Sequence, residues 1–121
     1  MSLLTAIKNR LFGSNGKSVE LVVYVPDDTP IGEAVFVSGA CSKLGEWNPT
    51  GLRLRQTDRR VWQRRIDLPA DQPIEFKVTR GSWETVEQAA DGGDACNTRI
   101  EPDEFAGGVV RHRVERWSDA S

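Results

Sequence analysis

The chain has 121 residues, and its sixteen basic and eighteen acidic residues leave a formal charge of −2 at pH 7. A chain of this length forms one ordinary domain and can bury a core without disulfides or metal ions. The nearly balanced charge provides no broad positive field, so we expect neither nucleic acid nor a membrane as a partner. No segment approaches membrane-spanning length and no cleavage site follows the first apolar residues, so we expect a cytoplasmic protein.

The N-terminal residues carry a helical pattern. Apolar residues recur at helical spacing between Leu4 and Leu11, and a glycine follows at the position of a helix C-cap. This pattern predicts a short amphipathic helix, followed by a polar, glycine-containing linker. We therefore expect an N-terminal helix and linker over 1–17 and a folded module over 18–119. The helix would either cover one edge of the module or dock on a protein partner.

After residue 17, apolar and polar residues alternate in short stretches. A period of two is typical of strands that face a core on one side and water on the other. The predicted strands are Val19–Val25, Ala34–Ser38, Leu52–Arg55, Val61–Leu68, Pro73–Arg80 and Gly108–Trp117. Turns rich in Gly, Pro, Asp and Asn separate them, which predicts an all-β domain, either a β-sandwich or a small open barrel.

Residue types that carry catalysis or bind metals are sparse. His112 is the only histidine; the alternation places it on an inward face, and no His or Cys lies at ligand spacing. Acidic pairs such as Asp27 and Asp28 lie in turn-like segments, where they are ordinary turn formers. Cys41 and Cys96 predict reduced thiols, with a single disulfide as the alternative. We therefore expect no catalytic residues, no metal and no cofactor.

Four tryptophans is a high count for this length, and they occur in two kinds of segment. Trp62 and Trp117 lie in predicted strands, where a core or half-buried aromatic is ordinary. Trp47 and Trp83 lie in turn-rich segments, where an exposed indole favours a ligand-binding surface and a buried loop anchor is the alternative. Lys77 lies on the solvent face of its predicted strand, shortly before Trp83.

Five sequence pieces occur in one order: VFVSGACSKLGEWNP, VWQRRIDLPA, IEFKVTRGSWETVE, CNTR and VERWSD. In this order and spacing they resemble the starch-binding domain, carbohydrate-binding module family 20, and they are similar to related glycogen-binding modules. The resemblance covers Ser18 to Asp119. It implies an immunoglobulin-like antiparallel β-sandwich that binds α-1,4-glucans, including starch, glycogen and maltooligosaccharides, without cleaving them.

The resemblance also implies roles for individual residues. The implied principal sugar site consists of Trp47 in the LGEW loop, Lys77 in the FK strand, Trp83 and Glu84 in the WE pair, and Asn97 in CNTR. A second sugar site would include Trp62, at the start of its strand.

Two other functions stay open. The residues are also compatible with a protein-interaction or regulatory β-sandwich. The resemblance implies the other alternative, a detached accessory domain of a glycan-active enzyme, because modules of this family usually travel with a catalytic partner. Burial of both Trp47 and Trp83 would weaken the sugar interpretation and favour a protein partner.

Overall fold

The computed structural model describes residues 16–69 and 71–120. Within these ranges the chain forms ten strands and three 3₁₀ turns, and no α-helix. The helix predicted between Leu4 and Leu11 lies outside the described residues. The strands are β1 (Gly16–Tyr24), β2 (Phe36–Gly39), β3 (Leu52–Arg53), β4 (Arg55–Asp58), β5 (Val61–Pro69), β6 (Ile74–Thr79), β7 (Glu87–Gln88), β8 (Thr98–Ile100), β9 (Val109–Arg113) and β10 (Arg116–Trp117). The 3₁₀ turns are Ser42–Leu44, Trp83–Thr85 and Pro102–Gly107.

The strands form two four-stranded sheets and a two-stranded ribbon. The first sheet has the order β4-β5-β1-β9, the second has the order β3-β2-β6-β8, and β10 pairs with β7. The strand pairs are antiparallel except for β1 and β9, which run parallel. The all-β domain predicted by the alternation is confirmed, and of the two alternatives, a β-sandwich or a small open barrel, the structure is the sandwich.

One core lies between the two sheets. The inward residues of β1, from Val19 to Val23, are at most 2% exposed, and those of β6, such as Phe76, are equally buried. Both sets belong to one apolar cluster with residues of β5 and β2. Because each fully buried aliphatic or aromatic side chain contributes about 1.5–3 kcal/mol, this cluster is the main source of stability.

The first strand begins earlier than Val19, the residue from which the alternation predicts it. β1 begins at Gly16, because Gly16 and Lys17 pair with Pro69 and Leu68 at the end of β5. The partner strand, rather than the local sequence pattern, decides where β1 begins.

The predicted strand Gly108–Trp117 is two strands in the structure. β9 pairs with β1 of the first sheet, whereas β10 leaves that sheet to pair with β7. The chain therefore passes from the first sheet to the two-stranded ribbon between β9 and β10, and Val114, which lies between these strands, is buried.

The alternation in β5 has one exception. Trp62, Ile66 and Leu68 are buried as the pattern predicts, but Arg64, in phase with them, is exposed. Its guanidinium Nη1 donates to the carbonyl oxygen of Arg53 at 3.0 Å. Although Arg64 occupies a position of the alternation that faces inward, its long side chain therefore places the charged guanidinium at the surface.

Candidate functional site

A shallow concavity, open to solvent, lies beside β6 and β8 of the second sheet. Four of the residues selected from the sequence line it: Trp47, Lys77, Trp83 and Asn97, together with Val86. Its volume is about 370 Å³. The chain thus brings together side chains from four separate segments of the sequence.

Lys77 and Asn97 meet because β6 and β8 are antiparallel. Phe76 pairs with Thr98, the first residue of β8, so continuing the register by one residue brings Lys77 opposite Asn97, which directly precedes the strand. Phe76 is buried and points inward, so its neighbour Lys77 points outward. Strand register therefore places an ammonium and an amide side by side on the outer face.

The segment between Trp83 and Asn97 folds back on itself. Gln88 and Asp94 form an isolated β-bridge, and the amide of Ala89 donates to the carbonyl of Gly93 at 3.0 Å. This hairpin-like excursion absorbs the intervening residues and returns the chain to the second sheet at Asn97.

Trp47 is held in an unusual backbone conformation. Glu46 and Trp47 have φ angles of 49° and 69°, in the left-handed region that side chains other than glycine rarely adopt. Each such residue costs about 1–2 kcal/mol, and strain of this kind is often found at functional sites. Hydrogen bonds maintain the conformation: the amide of Trp47 donates to the carbonyl of Gly39 at 2.9 Å, and that of Glu46 donates to Cys41 at 3.1 Å.

Two glycines allow the Trp47 loop to close. A Cβ atom on Gly45 would lie 2.4 Å from the Cα of Gly51, so the backbone segments approach too closely for any side chain. The fully buried Leu44 anchors the start of the loop, and Thr79 Oγ1 donates to the Pro49 carbonyl at 2.6 Å at its far side. The loop is therefore tied both to the core and to β6.

Trp83 opens a 3₁₀ turn that is fixed at both ends. The amide of Arg80 donates to the carbonyl of Thr85 at 3.2 Å, and Ser118 Oγ donates to the carbonyl of Glu84 at 2.6 Å. The Glu84 side chain is exposed in the same turn but is not among those that line the concavity.

The two loop indoles are accessible to a ligand. Trp83 is 42% exposed and Trp47 is half-buried, whereas Trp62 and Trp117 are 8% and 1% exposed. Neither loop tryptophan is a buried anchor, so the alternative that both belong to the core is wrong.

Glu75 is a neighbour of the concavity that the sequence interpretation missed. Asn97 Nδ2 donates to Glu75 Oε1 at 3.0 Å, and this contact orients the amide. Arg99 forms ion pairs with Glu75 and Glu101; the hydrogen bond to Glu101, followed by the charges of both carboxylates, raises the pKa of the guanidinium. The available signal was alternation, since Glu75 lies two residues before Lys77 on the same face.

Trp62 lies apart from these residues, in the first sheet. It lines a different groove of about 230 Å³, with Gln56, Arg59, Arg60 and residues of the loop over 26–32. Because Trp62 is only 8% exposed, it offers little of its ring to a ligand there. Ile31, which is fully exposed, also lines this groove.

The remaining residues that could carry catalysis or bind a metal are the acidic residues, the single histidine and the two cysteines. In the part of the chain that the structure describes, no group of three or more His, Cys, Asp or Glu residues could hold a metal ion. His112 lies on the inward side of β9, and its Nε2 is 2.7 Å from Glu87 Oε1. Cys41 and Cys96 are free thiols. No helix within the described ranges is long and apolar enough to cross a bilayer.

A family model supports the starch-binding interpretation. The model described as "Starch binding domain" matches residues 18–95, which is more than half of the chain. Among curated proteins, an alpha-amylase from Niallia circulans is 36% identical over 104 residues, or 84% of this chain and 8% of the relative. Glucoamylase-1 of Schizophyllum commune is 32% identical over 69 residues, or 56% of this chain and 12% of the relative. The chain thus spans a small fraction of these relatives.

Solved structures share the fold. The gamma-CGTase of alkalophilic Bacillus clarkii superposes with a TM-score of 0.59 at 26% identity, covering 84% of this chain and 15% of that one. The family 20 carbohydrate-binding module of the maltotetraose-forming amylase from Pseudomonas saccharophila gives a TM-score of 0.55 at 24% identity, covering 79% of this chain and 98% of that module.

The β-sandwich fold and the family match define a non-catalytic carbohydrate-binding module. The chain belongs to the starch-binding domain family, carbohydrate-binding module family 20. The resemblance and the all-β fold class expected from the sequence are confirmed by the family match and the strand arrangement.

Proposed function

We propose that the concavity beside β6 and β8 is the α-glucan site and that Trp47 and Trp83 stack on successive glucose rings. The observation that supports the proposal is that two accessible indoles from separate loops line one open concavity with Lys77 and Asn97. Backbone strain at Trp47 adds support, because the fold maintains a costly conformation there.

The chemistry of the site suits a glucose chain. A pyranose presents C–H groups on its faces and hydroxyls around its edge, so a rigid indole packs on the face while polar groups bind the edge. Each aromatic contact adds about 0.5–1.5 kcal/mol beyond area burial. Lys77 supplies three donors, and the Asn97 amide, oriented by Glu75, presents its oxygen as an acceptor.

Two further residues have smaller proposed roles. Glu84, exposed beside Trp83, accepts a hydrogen bond from a sugar hydroxyl at the edge of the bound chain. Trp62 is the centre of a second, weaker sugar contact in the groove of the first sheet. The second contact is weaker because most of the Trp62 ring is covered.

An open site of this size binds short oligosaccharides weakly. Two stacked rings and a few edge hydrogen bonds, less the cost of ordering, correspond to a Kd on the order of 10 μM to 1 mM. Glycogen and starch present the same α-1,4-linked chain many times, so both are proposed ligands and bind more tightly through effective concentration.

The biological setting is a separate proposal. The curated relatives named above are an alpha-amylase and a glucoamylase, and the chain matches a small part of each. By this analogy the module tethers a glycan-active enzyme, as partner or as part of the same polypeptide, to its polysaccharide. A cytoplasmic location remains a prediction, which cell fractionation tests.

The experiment is a tryptophan fluorescence titration with β-cyclodextrin and maltoheptaose, with cellohexaose as the matched β-linked control. We expect a saturable change with the α-glucans alone, lost in Trp83→Ala and Trp47→Ala and retained in Trp62→Phe. A folded protein that gives no response at millimolar α-glucan would contradict the proposed site and favour the protein-interaction alternative.

A further inference from the structure

A polar cluster lies on the core side of the concavity, where apolar side chains are expected. Glu87 is 3% exposed, and both of its carboxylate oxygens have partners. Oε2 accepts a hydrogen bond from the amide of Val78 at 2.9 Å, and Oε1 lies 2.7 Å from Nε2 of His112. The other imidazole nitrogen, Nδ1, lies 3.4 Å from Thr98 Oγ1.

The Glu87 carboxylate fills a gap in the backbone pairing along β6. Pairing between β6 and β8 ends at Phe76 and Thr98, two residues before Val78 on β6. Beyond that point a buried backbone amide needs another acceptor, because an unpaired one is costly. Glu87 supplies it, and together with the β-bridge between Thr79 and Val86 it fastens the chain near β7 to the second sheet.

Each residue of this cluster that lies near the concavity is next in sequence to a residue that lines it. Val78 follows Lys77, Glu87 follows Val86, and Thr98 follows Asn97. Neighbouring residues in an extended chain are only about 3.8 Å apart, so a shift of one displaces the other. Three segments that carry lining residues therefore converge on one carboxylate and the imidazole beside it.

We propose that Glu87 is a positioning residue for α-glucan binding: through Val78 and His112 it holds Lys77, Val86 and Asn97 at the spacing that the sugar requires. It does not touch the ligand itself. The inference rests on the proposed function of the concavity and assigns a role to a buried group outside it.

The test compares Glu87→Ala and Glu87→Gln with a matched core control, Val19→Ala. Val19 is fully buried in β1 of the first sheet and is not among the residues that line the concavity. The β-cyclodextrin Kd is measured by calorimetry at a temperature where each variant is folded. The amide resonances of Lys77, Val86 and Asn97 are recorded by NMR without sugar.

We expect Glu87→Ala to weaken β-cyclodextrin binding by about tenfold or more, because two donors lose their acceptor and the segments relax. Glutamine keeps a carbonyl oxygen for the Val78 amide. Its NH2 group donates to His112 Nε2 once the imidazole carries its proton on Nδ1, where Thr98 Oγ1 lies 3.4 Å away. Glu87→Gln should therefore restore binding to within about threefold of wild type. Val19→Ala should lower stability yet leave the Kd within about twofold, since distant sites act independently. The three resonances should shift in Glu87→Ala and not in Val19→Ala.

Equal affinity of Glu87→Ala and wild type, or equal weakening by Val19→Ala, would overturn the inference. If Glu87→Ala does not fold, His112→Leu removes the second partner of the carboxylate and is expected to weaken binding in the same direction. Failure of the wild-type protein to bind β-cyclodextrin would instead contradict the proposed function. In that case the NMR spectra recorded without sugar still test whether Glu87 positions Lys77, Val86 and Asn97. Resonances that are unshifted in both Glu87→Gln and Glu87→Ala would overturn the inference.

Discussion

The tryptophans in strands and the tryptophans in loops have opposite surroundings. Trp117 is 1% exposed; its indole N–H donates to Thr29 Oγ1 at 2.9 Å, and the Arg80 guanidinium lies 5.1 Å from its ring centroid. Trp83 is 42% exposed on a 3₁₀ turn beside the concavity. The same side chain therefore stabilises the fold in one place and meets solvent in the other, and the element that carries it decides which.

The largest expected effect is a loss of stability on substitution of the buried strand tryptophan, Trp117. Trp117→Ala should lower the free energy of unfolding by about 3–5 kcal/mol, because it leaves a large cavity and removes the partner of Thr29. Chemical denaturation measures the change. Any loss of α-glucan binding should match the unfolded fraction, and a change below about 1 kcal/mol would show that Trp117 is not a core residue.

Substitution of the loop tryptophan Trp83 should change the affinity for sugar rather than the stability of the fold. Trp83→Ala should weaken β-cyclodextrin binding by about tenfold or more, since it removes one stacking surface. Its free energy of unfolding should change by less than about 1 kcal/mol, because Trp83 lies at the surface with 42% of its area exposed and is not part of the core. Calorimetry and denaturation on the same sample test both, with Trp83→Phe expected to retain part of the affinity. A loss of stability like that of Trp117→Ala would remove the contrast.

Lys77 tests whether polar edge contacts add to the indoles. Lys77→Met keeps an apolar stem of similar length and removes the ammonium donors, so we expect β-cyclodextrin affinity to fall about three- to tenfold with the fold intact. Arg53→Met, an exposed substitution in β3 away from the lining residues, is the matched control for loss of one positive charge. If Lys77→Met and Arg53→Met weakened β-cyclodextrin binding equally, Lys77 would contribute only through its positive charge and not through hydrogen bonds to the sugar.

The smallest expected effect separates strain from sugar contact. Asparagine adopts the left-handed conformation more readily than glutamate, so Glu46→Asn should raise the free energy of unfolding by up to about 1 kcal/mol. The exposed Glu46 side chain does not line the concavity, so the Kd for β-cyclodextrin should stay unchanged. A lower stability in denaturation would mean that the φ of 49° at Glu46 is not a cost.

Alternation along the chain was sufficient to predict the principal strands and their inward faces. In β1 and β6 the apolar positions are the buried ones, because a pleated strand between core and water sends neighbouring side chains to opposite sides. The turn residues around Trp47 and Trp83 likewise indicated that these indoles stand outside the strands. These properties depend on neighbours in sequence, which is why they could be predicted.

Only the tertiary structure placed the short strands and the contacts between distant segments. β7 and β8 have two and three residues, too few to carry a periodic signal, and they exist because β10 and β6 provide partners. The same holds for the hydrogen bond from Asn97 to Glu75 and for the pairing of Glu87 with His112. Sequence by itself determined the faces of the strands and the type of residue in each loop. Strand register and chain folding decided which of those residues meet, because contacts between distant segments depend on backbone geometry that no local pattern contains.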